Sequence, residues 1–379
     1  MAQTVSSPNS IATRWARSFW YCRAGALGAY QAGVYQALSE AGIEPDWVIG
    51  TSIGAINASL IAGNPPDLRL QRLEEFWRRV TRPPLAQLVA AAPLLGPWTA
   101  NMMTIASGLT NFFEPNLVAF LGPVSLGSER SGYYSTEPLE RTLGELIDLT
   151  LLNKGQPRLT VGAAKVQTGD MHYFDSRDCE LTIKHVMASG ALPPAFPAVR
   201  VDDDLYWDGG ILSNTPVEAI FDDNPRRSGL IFAVHMWAPN GPEPDSIAKV
   251  LARQKDLQYA SRAASHIARQ KQLHKLRHII RELAGKLPPE VAMTQEVREL
   301  ASYGCVTRMH VVRLLAPALA GEDHSKDIDF SRGGIEHRWR AGYADTRRVL
   351  AQAPWTGDFD PLEGFILHQA EAGKMTFEG

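Results

Sequence analysis

"VIGTSIGAIN" occupies residues 48–57, and its reading decides the fold. The run from Asp46 to Gly50 predicts a short buried strand. Helical spacing starts at once, with Ile53, Ile56, Leu60 and Ile61 sharing one face. Between them lies Gly50-Thr51-Ser52-Ile53-Gly54, a Gly-x-Ser-x-Gly match. That pattern alone is common, because Gly and Ser are common. The strand before it and the helix after it give it meaning. A sharp strand-to-helix turn projects a serine hydroxyl from the sheet, and flanking glycines let backbone and helix approach closely. The helix also points its free N–H groups and positive dipole end at developing negative charge. Ser52 is the expected nucleophile; an ordinary tight turn is the plainer alternative.

Working outward, the chain from Gly25 to about Trp237 alternates apolar runs with helical patterns, which reads as α/β. Leu27, Val34 and Leu38 form a helical stripe with Tyr30 and Tyr35 beside it. Strands are expected at 158–166, 205–207 and 229–237. The stretch 85–126 is poor in charge and rich in Ala, Leu, Phe, Pro and Gly. It reads as a packed cap over the core or as a lid or acyl-chain surface. A linker follows at 238–245. Residues 246–286 show a long helical pattern with Ile247, Val250, Leu251, Leu257, Leu273, Leu276, Ile279, Ile280 and Leu283. Its other face is basic, with Arg253, Lys255, Arg262, Arg269, Lys271, Lys275, Arg277, Arg281 and Lys286. That face is either solvated or meets anionic lipid or another polyanion. "MHVVRLL" (309–315) reads as a further buried strand.

A serine at its free pKa is inert and needs a base. Asp208 in "YWDGGILSNTPV" (206–217) is the candidate. Gly209 and Gly210 imply a tight turn at a strand end, where a carboxylate can enter a cleft; a turn-capping role is the alternative. His185, His235 and His310 are possible triad members, but none has a recognisable turn context.

Composition narrows the classes. Of 379 residues, 45% are hydrophobic and 21% charged, which suits a globular protein with a sizeable core. The net charge of −3 gives no global field for nucleic acid. Cys22, Cys179 and Cys305 lack Cys-x-x-Cys spacing, which argues against a disulfide framework or a zinc site and favours a reducing, cytoplasmic setting. No metal or cofactor is expected. Arg23 interrupts any apolar run after Arg14 and Arg17, so no signal peptide is read. No stretch of about 18 apolar residues predicts a membrane span.

Four ordered motifs carry a resemblance: "GALGAYQAGV" (25–34), "GTSIGAINA" (50–58), "HVMASGALPPAFPAV" (185–199) and "DGGILSNTPV" (208–217). Over roughly residues 19–237 the chain resembles the patatin-like phospholipases. The resemblance implies a three-layer α/β/α fold with a mainly parallel central sheet. It implies a lipid acyl hydrolase that uses a Ser–Asp dyad without histidine or cofactor. Ser52 would attack the ester carbonyl and Asp208 would take its proton. Backbone N–H groups of Gly25, Ala24 and Ile53 would hold the oxyanion, within motifs framed by Gly28, Gly50, Gly54, Gly209 and Gly210. The implied partner is a lipid or acyl ester, with peripheral contact at the inner membrane surface. "HSKDIDFS" (324–331) and "WRAGYADTRR" (339–348) look like the C-terminal extension of a bacterial subgroup. The expected division is a leader (1–24), a catalytic domain (25–237) and a mainly helical extension (246–379) that returns strand 309–315 to the sheet. A non-catalytic scaffold of the same fold and a Ser-His-Asp α/β-hydrolase are the rival readings. Oligomeric state stays open.

The first motif departs from the family pattern, which runs like LVLQGGGALG. Here Phe19, Trp20, Tyr21 and Cys22 hold strand positions, and Arg23 and Ala24 replace two glycines. Phe-Trp-Tyr-Cys-Arg-Ala can be encoded TTC TGG TAT TGC AGG GCN. Read from the third base, this gives Leu-Val-Leu-Gln-Gly, the expected segment. Residues 1–24 are therefore read as a frameshifted leader that rejoins the frame at Gly25, and activity is expected to suffer.

Overall fold

The computed structural model describes residues 16–21, 25–82, 107–120, 125–212, 217–317, 326–371 and 374–378. Its strands are β1 (Ala16–Tyr21), β2 (Trp47–Thr51), β3 (Glu114–Pro115), β4 (Tyr134–Ser135), β5 (Arg158–Lys165), β6 (Met171–Asp175), β7 (Val199–Val201), β8 (Asp204–Asp208), β9 (Gly229–His235), β10 (Met309–Leu315), β11 (Phe365–Glu371) and β12 (Lys374–Glu378). All except the β3–β4 pair join one sheet. Its centre runs β11-β10-β9-β1-β2-β5, all parallel. β12, β6, β8 and β7 are antiparallel additions at the two sides.

The principal helices are α1 (Ala29–Glu40), α2 (Ile53–Ala62), α3 (Pro66–Arg79), α4 (Ile183–Ser189), α5 (Val217–Phe221), α6 (Ile247–Gly285) and α7 (Arg332–Gln352). They cover both faces of the sheet, so its central strands are apolar on both sides. Alternate residues divide between two cores. Val48, Leu230, Phe232, Val312 and Leu314 face the layer of α1 and α2. Trp47, Ile49, Ile231, Ala233, Met309 and Val311 face the layer of α5 and Ile267 of α6. This is the three-layer arrangement that the resemblance implies.

β1 lies between β9 and β2, with Ser18 opposite Trp47 and Tyr21 opposite Gly50. The unusual segment "SFWY" thus supplies the backbone of the central strand, while residues 22–24 lie outside the described residues. α1 is buried on nearly all sides, because α7 covers the flank that the sheet does not. The two helices meet at backbone distance. A Cβ on Gly33 would run into the Trp339 carbonyl, and one on Gly342 into the Tyr30 carbonyl. Tyr30 Oη donates to Asp345 at 2.9 Å, Trp339 Nε1 to Gln36 at 2.7 Å and Tyr343 Oη to Glu40 at 2.7 Å. The "WRAGYADTRR" segment therefore serves as the outer wall of the first helix.

α6 forms over the stretch expected to be helical. Most of its predicted apolar face points to solvent: Ile247 is 78% exposed, Leu276 52% and Leu283 60%. The stripe it buries is Ala260, Ile267, Gln270, His274 and His278. Helical spacing identified the helix, but spacing does not say which apolar side meets protein. Of the stretch 85–126, residues 83–106 and 121–124 lie outside the described residues. In the described part, Leu109, Phe112 and Phe113 are buried, while Leu117 and Val118 are exposed.

Candidate active site

Ser52 occupies the turn between β2 and α2 with φ 59° and ψ −126°. That backbone region suits glycine and is strained for serine. The strain follows from close packing. A Cβ on Gly50 would strike the Gly54 carbonyl, so strand and helix can fold this tightly only if residue 50 has no side chain. The Ser52 amide donates to Ser189 Oγ at 2.9 Å, and Ser189 Oγ donates to the Gly162 carbonyl at 2.6 Å. Ser189 thus ties the turn to β5 through the last residue of α4.

Strand register brings Asp208 to the same place. Along β5, Thr51 pairs with Gly162 and Asp208 with Ala163. β6 pairs with residues 160–164 and so occupies the opposite edge of β5. β2 and β8 therefore share one edge and meet end to end. The carboxylate at the end of β8 and the serine after β2 arrive one register step apart. A Cβ on Gly209 would lie 2.7 Å from the Gly162 oxygen, so a side chain there would disturb the junction. Asp208 is fully buried. Its amide donates to the Ala191 carbonyl at 2.9 Å, and its Oδ1 accepts from the Gly210 amide at 2.7 Å. The first bond fixes the residue to the "SGALPP" turn, and the second fixes the carboxylate's rotation.

The glycine turn comes from the other side. Gly25, at φ +50°, opens a 3₁₀ turn through Gly28. A Cβ on Gly28 would lie 2.6 Å from Ile53 Cγ1 and 3.1 Å from Trp77. Asn57 of α2 clamps the turn: its Nδ2 donates to the Gly28 carbonyl at 3.0 Å and to Gln31 Oε1 at 2.8 Å. Its Oδ1 accepts from Trp77 Nε1 at 3.1 Å. Gly28 thus packs on Ile53 at the start of α2, whose first N–H groups have no partner within the helix. Ala24 lies outside the described residues. Asn57 and Ser189 were passed over in the sequence, since their roles depend on contacts across the fold.

The three histidines sit otherwise. His185 Nδ1 accepts from the Thr182 amide at the start of its own helix, and burial lowers its pKa. His310 stacks on His368 near the start of β10. His235 ends β9, with β1 between it and β2.

The C-terminal region also reaches the turn. A Cβ on Gly25 would strike the Asp327 carbonyl. Phe330 stacks on Trp77 and, with Phe112, Phe113, Phe196 and Tyr134, forms a continuous aromatic cluster. A separate cavity of about 370 Å³ lies at the other end of the strands, against Trp47, Arg158, Gly229 and Met309. Arg158 there is paired with Asp175 and Asp223. One group of possible metal ligands assembles among the described residues, His274, His278 and Cys305, although the cysteine spacing argued against it.

The sequence pattern of the patatin-like phospholipases matches residues 24–221. A second pattern, described as patatin phospholipase, matches residues 257–362. The chain belongs to the patatin-like phospholipase family, a family of lipid hydrolases. Similar solved structures include VipD from Legionella pneumophila, 16% identical, with 89% of this chain and 67% of that one covered at a TM-score of 0.35. ExoU of the Pseudomonas aeruginosa type III secretion system, solved in complex with SpcU, is 15% identical. There 76% of this chain and 60% of that one are covered, at a TM-score of 0.32. No curated protein matches the sequence. No helix among the described residues is long and apolar enough to cross a membrane.

Proposed function

We propose that this chain is a serine acyl hydrolase of the phospholipase A or lipid-esterase type, working through a Ser52–Asp208 dyad. The observation that carries the reading is the shared edge of β5, where the strained serine turn and the buried aspartate meet. Asp208 takes the Ser52 proton as the hydroxyl attacks the ester carbonyl. The oxyanion forms at the N-terminus of α2, facing the N–H groups of Ile53 and the Gly25 turn. The proton then passes to the leaving alcohol, and water releases the acyl group by the same route. The positions of His185, His235 and His310 favour a dyad over a triad. A fluorophosphonate probe and an ester-turnover assay test this. Ser52→Ala and Asp208→Asn are each expected to abolish turnover, and Ser52→Ala to abolish labelling. A folded chain with no labelling and no turnover would favour the non-catalytic scaffold.

The first glycine turn carries Arg23 and Ala24, whose positive-φ conformations are less accessible than glycine's. Loss of one oxyanion donor costs about 2.7–4 kcal/mol, or roughly 10²–10³ in rate. A chain with the frame restored to Leu-Val-Leu-Gln-Gly before Gly25 should hydrolyse esters faster by up to that factor. Equal activity of the two chains would refute the impairment, and coding DNA without an alternative-frame Leu-Val-Leu-Gln-Gly would refute the frameshift reading.

The exposed apolar side of α6 supports contact with a lipid surface. Leu273, Leu276, Ile279 and Leu283 are exposed on the side opposite its buried stripe, with exposed Arg269 and Lys275 beside them. Such a face suits the headgroup boundary of an anionic bilayer. Sedimentation with anionic vesicles should carry the chain down, and Leu276→Glu with Leu283→Glu should release it. Binding that survives those changes would place the contact elsewhere.

A further inference from the structure

We propose that His274, His278 and Cys305 form a zinc site that fastens the long helix α6 to the start of the C-terminal strands. The site is distinct from the Ser52 region. It lies before the first residues of β10 and β11, at the opposite end of the parallel strands.

His274 and His278 are four residues apart, so both rings project from one face of α6. Their Nε2 atoms converge on a single point: each lies within hydrogen-bond distance of the Thr307 carbonyl, at 2.9 and 2.8 Å. Cys305 approaches from the loop ahead of β10, with its Sγ 4.0 Å from His274 Nε2. The three ligand atoms all lie within 4.8 Å of one another. Zinc bonds of about 2.0–2.1 Å to nitrogen and 2.3 Å to sulfur place tetrahedral N and S ligands roughly 3.6 Å apart. Closing the cluster on an ion therefore takes a few tenths of an ångström between Cys305 Sγ and His274 Nε2, and no more than about 1.5 Å for any other pair of ligand atoms.

The surroundings are built for the two rings. His274 is fully buried and His278 nearly so. Gly364 leaves their space open, because a Cβ there would strike His278 Nε2 and His274 Cδ2. The loop is pinned against the helix by the Cys305 amide, which donates to the Arg277 carbonyl at 3.2 Å. Two imidazoles and a thiolate are a borderline-soft donor set suited to zinc. On binding, each imidazole carries its proton on Nδ1 and offers the Nε2 lone pair. The Cys305 thiol loses its proton to solvent. Thr307 O or water takes the fourth position.

The test uses the full chain, stripped with a chelator and titrated with Zn²⁺ or Co²⁺. Elemental analysis should find one zinc per chain after gel filtration, and zinc should raise the melting temperature. The Co²⁺ form should show a thiolate-to-metal charge-transfer band. Cys305→Ser should lose that band, and Cys179→Ser should keep it, because Cys179 lies elsewhere and is exposed. His278→Gln should weaken zinc binding at least tenfold with Cys305 intact, which covers the case in which Cys305→Ser fails to fold. A wild-type chain that takes up no zinc, or a cobalt spectrum that Cys305→Ser leaves unchanged, would overturn the proposal.

Discussion

Replacing Ser52 by glycine should raise the stability of the fold while abolishing ester turnover. The residue sits at φ 59° and ψ −126°, and a non-glycine residue held in such a region stores about 1–3 kcal/mol. Glycine relieves that strain but returns roughly 0.5–1 kcal/mol through the greater freedom of the unfolded chain. The net gain is about 0.5–2 kcal/mol. The amide bond to Ser189 is a backbone bond, so glycine retains it. Ser52→Ala is the necessary companion, because it removes the hydroxyl and keeps the strain. Urea unfolding followed by circular dichroism separates the two variants. With a slope of about 3 kcal/mol/M, the glycine midpoint should exceed the alanine midpoint by roughly 0.2–0.7 M. A glycine variant no more stable than the alanine variant would show that the turn is not strained, and the argument from strain to a presented nucleophile would fail with it.

Three further outcomes follow from the packing. Asn57→Ala should cost about 2–4 kcal/mol, since it removes three hydrogen bonds and takes the acceptor from buried Trp77 Nε1; a urea-midpoint loss equivalent to less than about 1 kcal/mol would contradict the clamp. Gly33→Ala should cost about 1–3 kcal/mol by forcing α1 and α7 apart, and Gly342→Ala should do the same; wild-type midpoints for both would show that the helices do not meet at backbone distance. The stacked pair His310 and His368 should make the fold sensitive to mild acid. Burial, with Arg308 acting on His310 and His310 on His368, pushes each pKa down to about 4. An unfolded histidine titrates near 6.5. As pH falls below about 6.5 the unfolded chain binds protons that the folded chain refuses, so stability drops until about pH 4. His368→Gln should flatten the stability–pH profile over that interval; an unchanged slope would mean that the pair does not control it.

What the sequence disclosed was local. Gly50 and Gly54 around Ser52, and Gly209 and Gly210 after Asp208, are turn chemistry confined to a few residues, so both turns could be read directly. The unbroken apolar run Leu230, Ile231, Phe232 and Ala233 marked a strand, and the fold covers it on both faces. The meeting of β2 and β8 along one edge of β5 could not be read, because it depends on an antiparallel pairing between strands some 40 residues apart. Ser189 and Asn57 were invisible for the same reason: a small polar residue in a helix becomes a clamp only when its distant partners arrive. The helical pattern of α6 was legible, but apolar periodicity reports a face, not what covers it. His274 and His278 had helical ligand spacing, but their third member lies in a loop that only the fold returns to them.

The measurement that bears most directly on the central claim is mass-spectrometric mapping of a fluorophosphonate adduct on the folded, frame-restored chain, with turnover of a lipid ester measured in parallel. The account predicts a single adduct on Ser52, turnover blocked in proportion to labelling, and loss of turnover in Asp208→Asn with its fold intact. An adduct on another serine, or full turnover by Ser52→Ala, would contradict it.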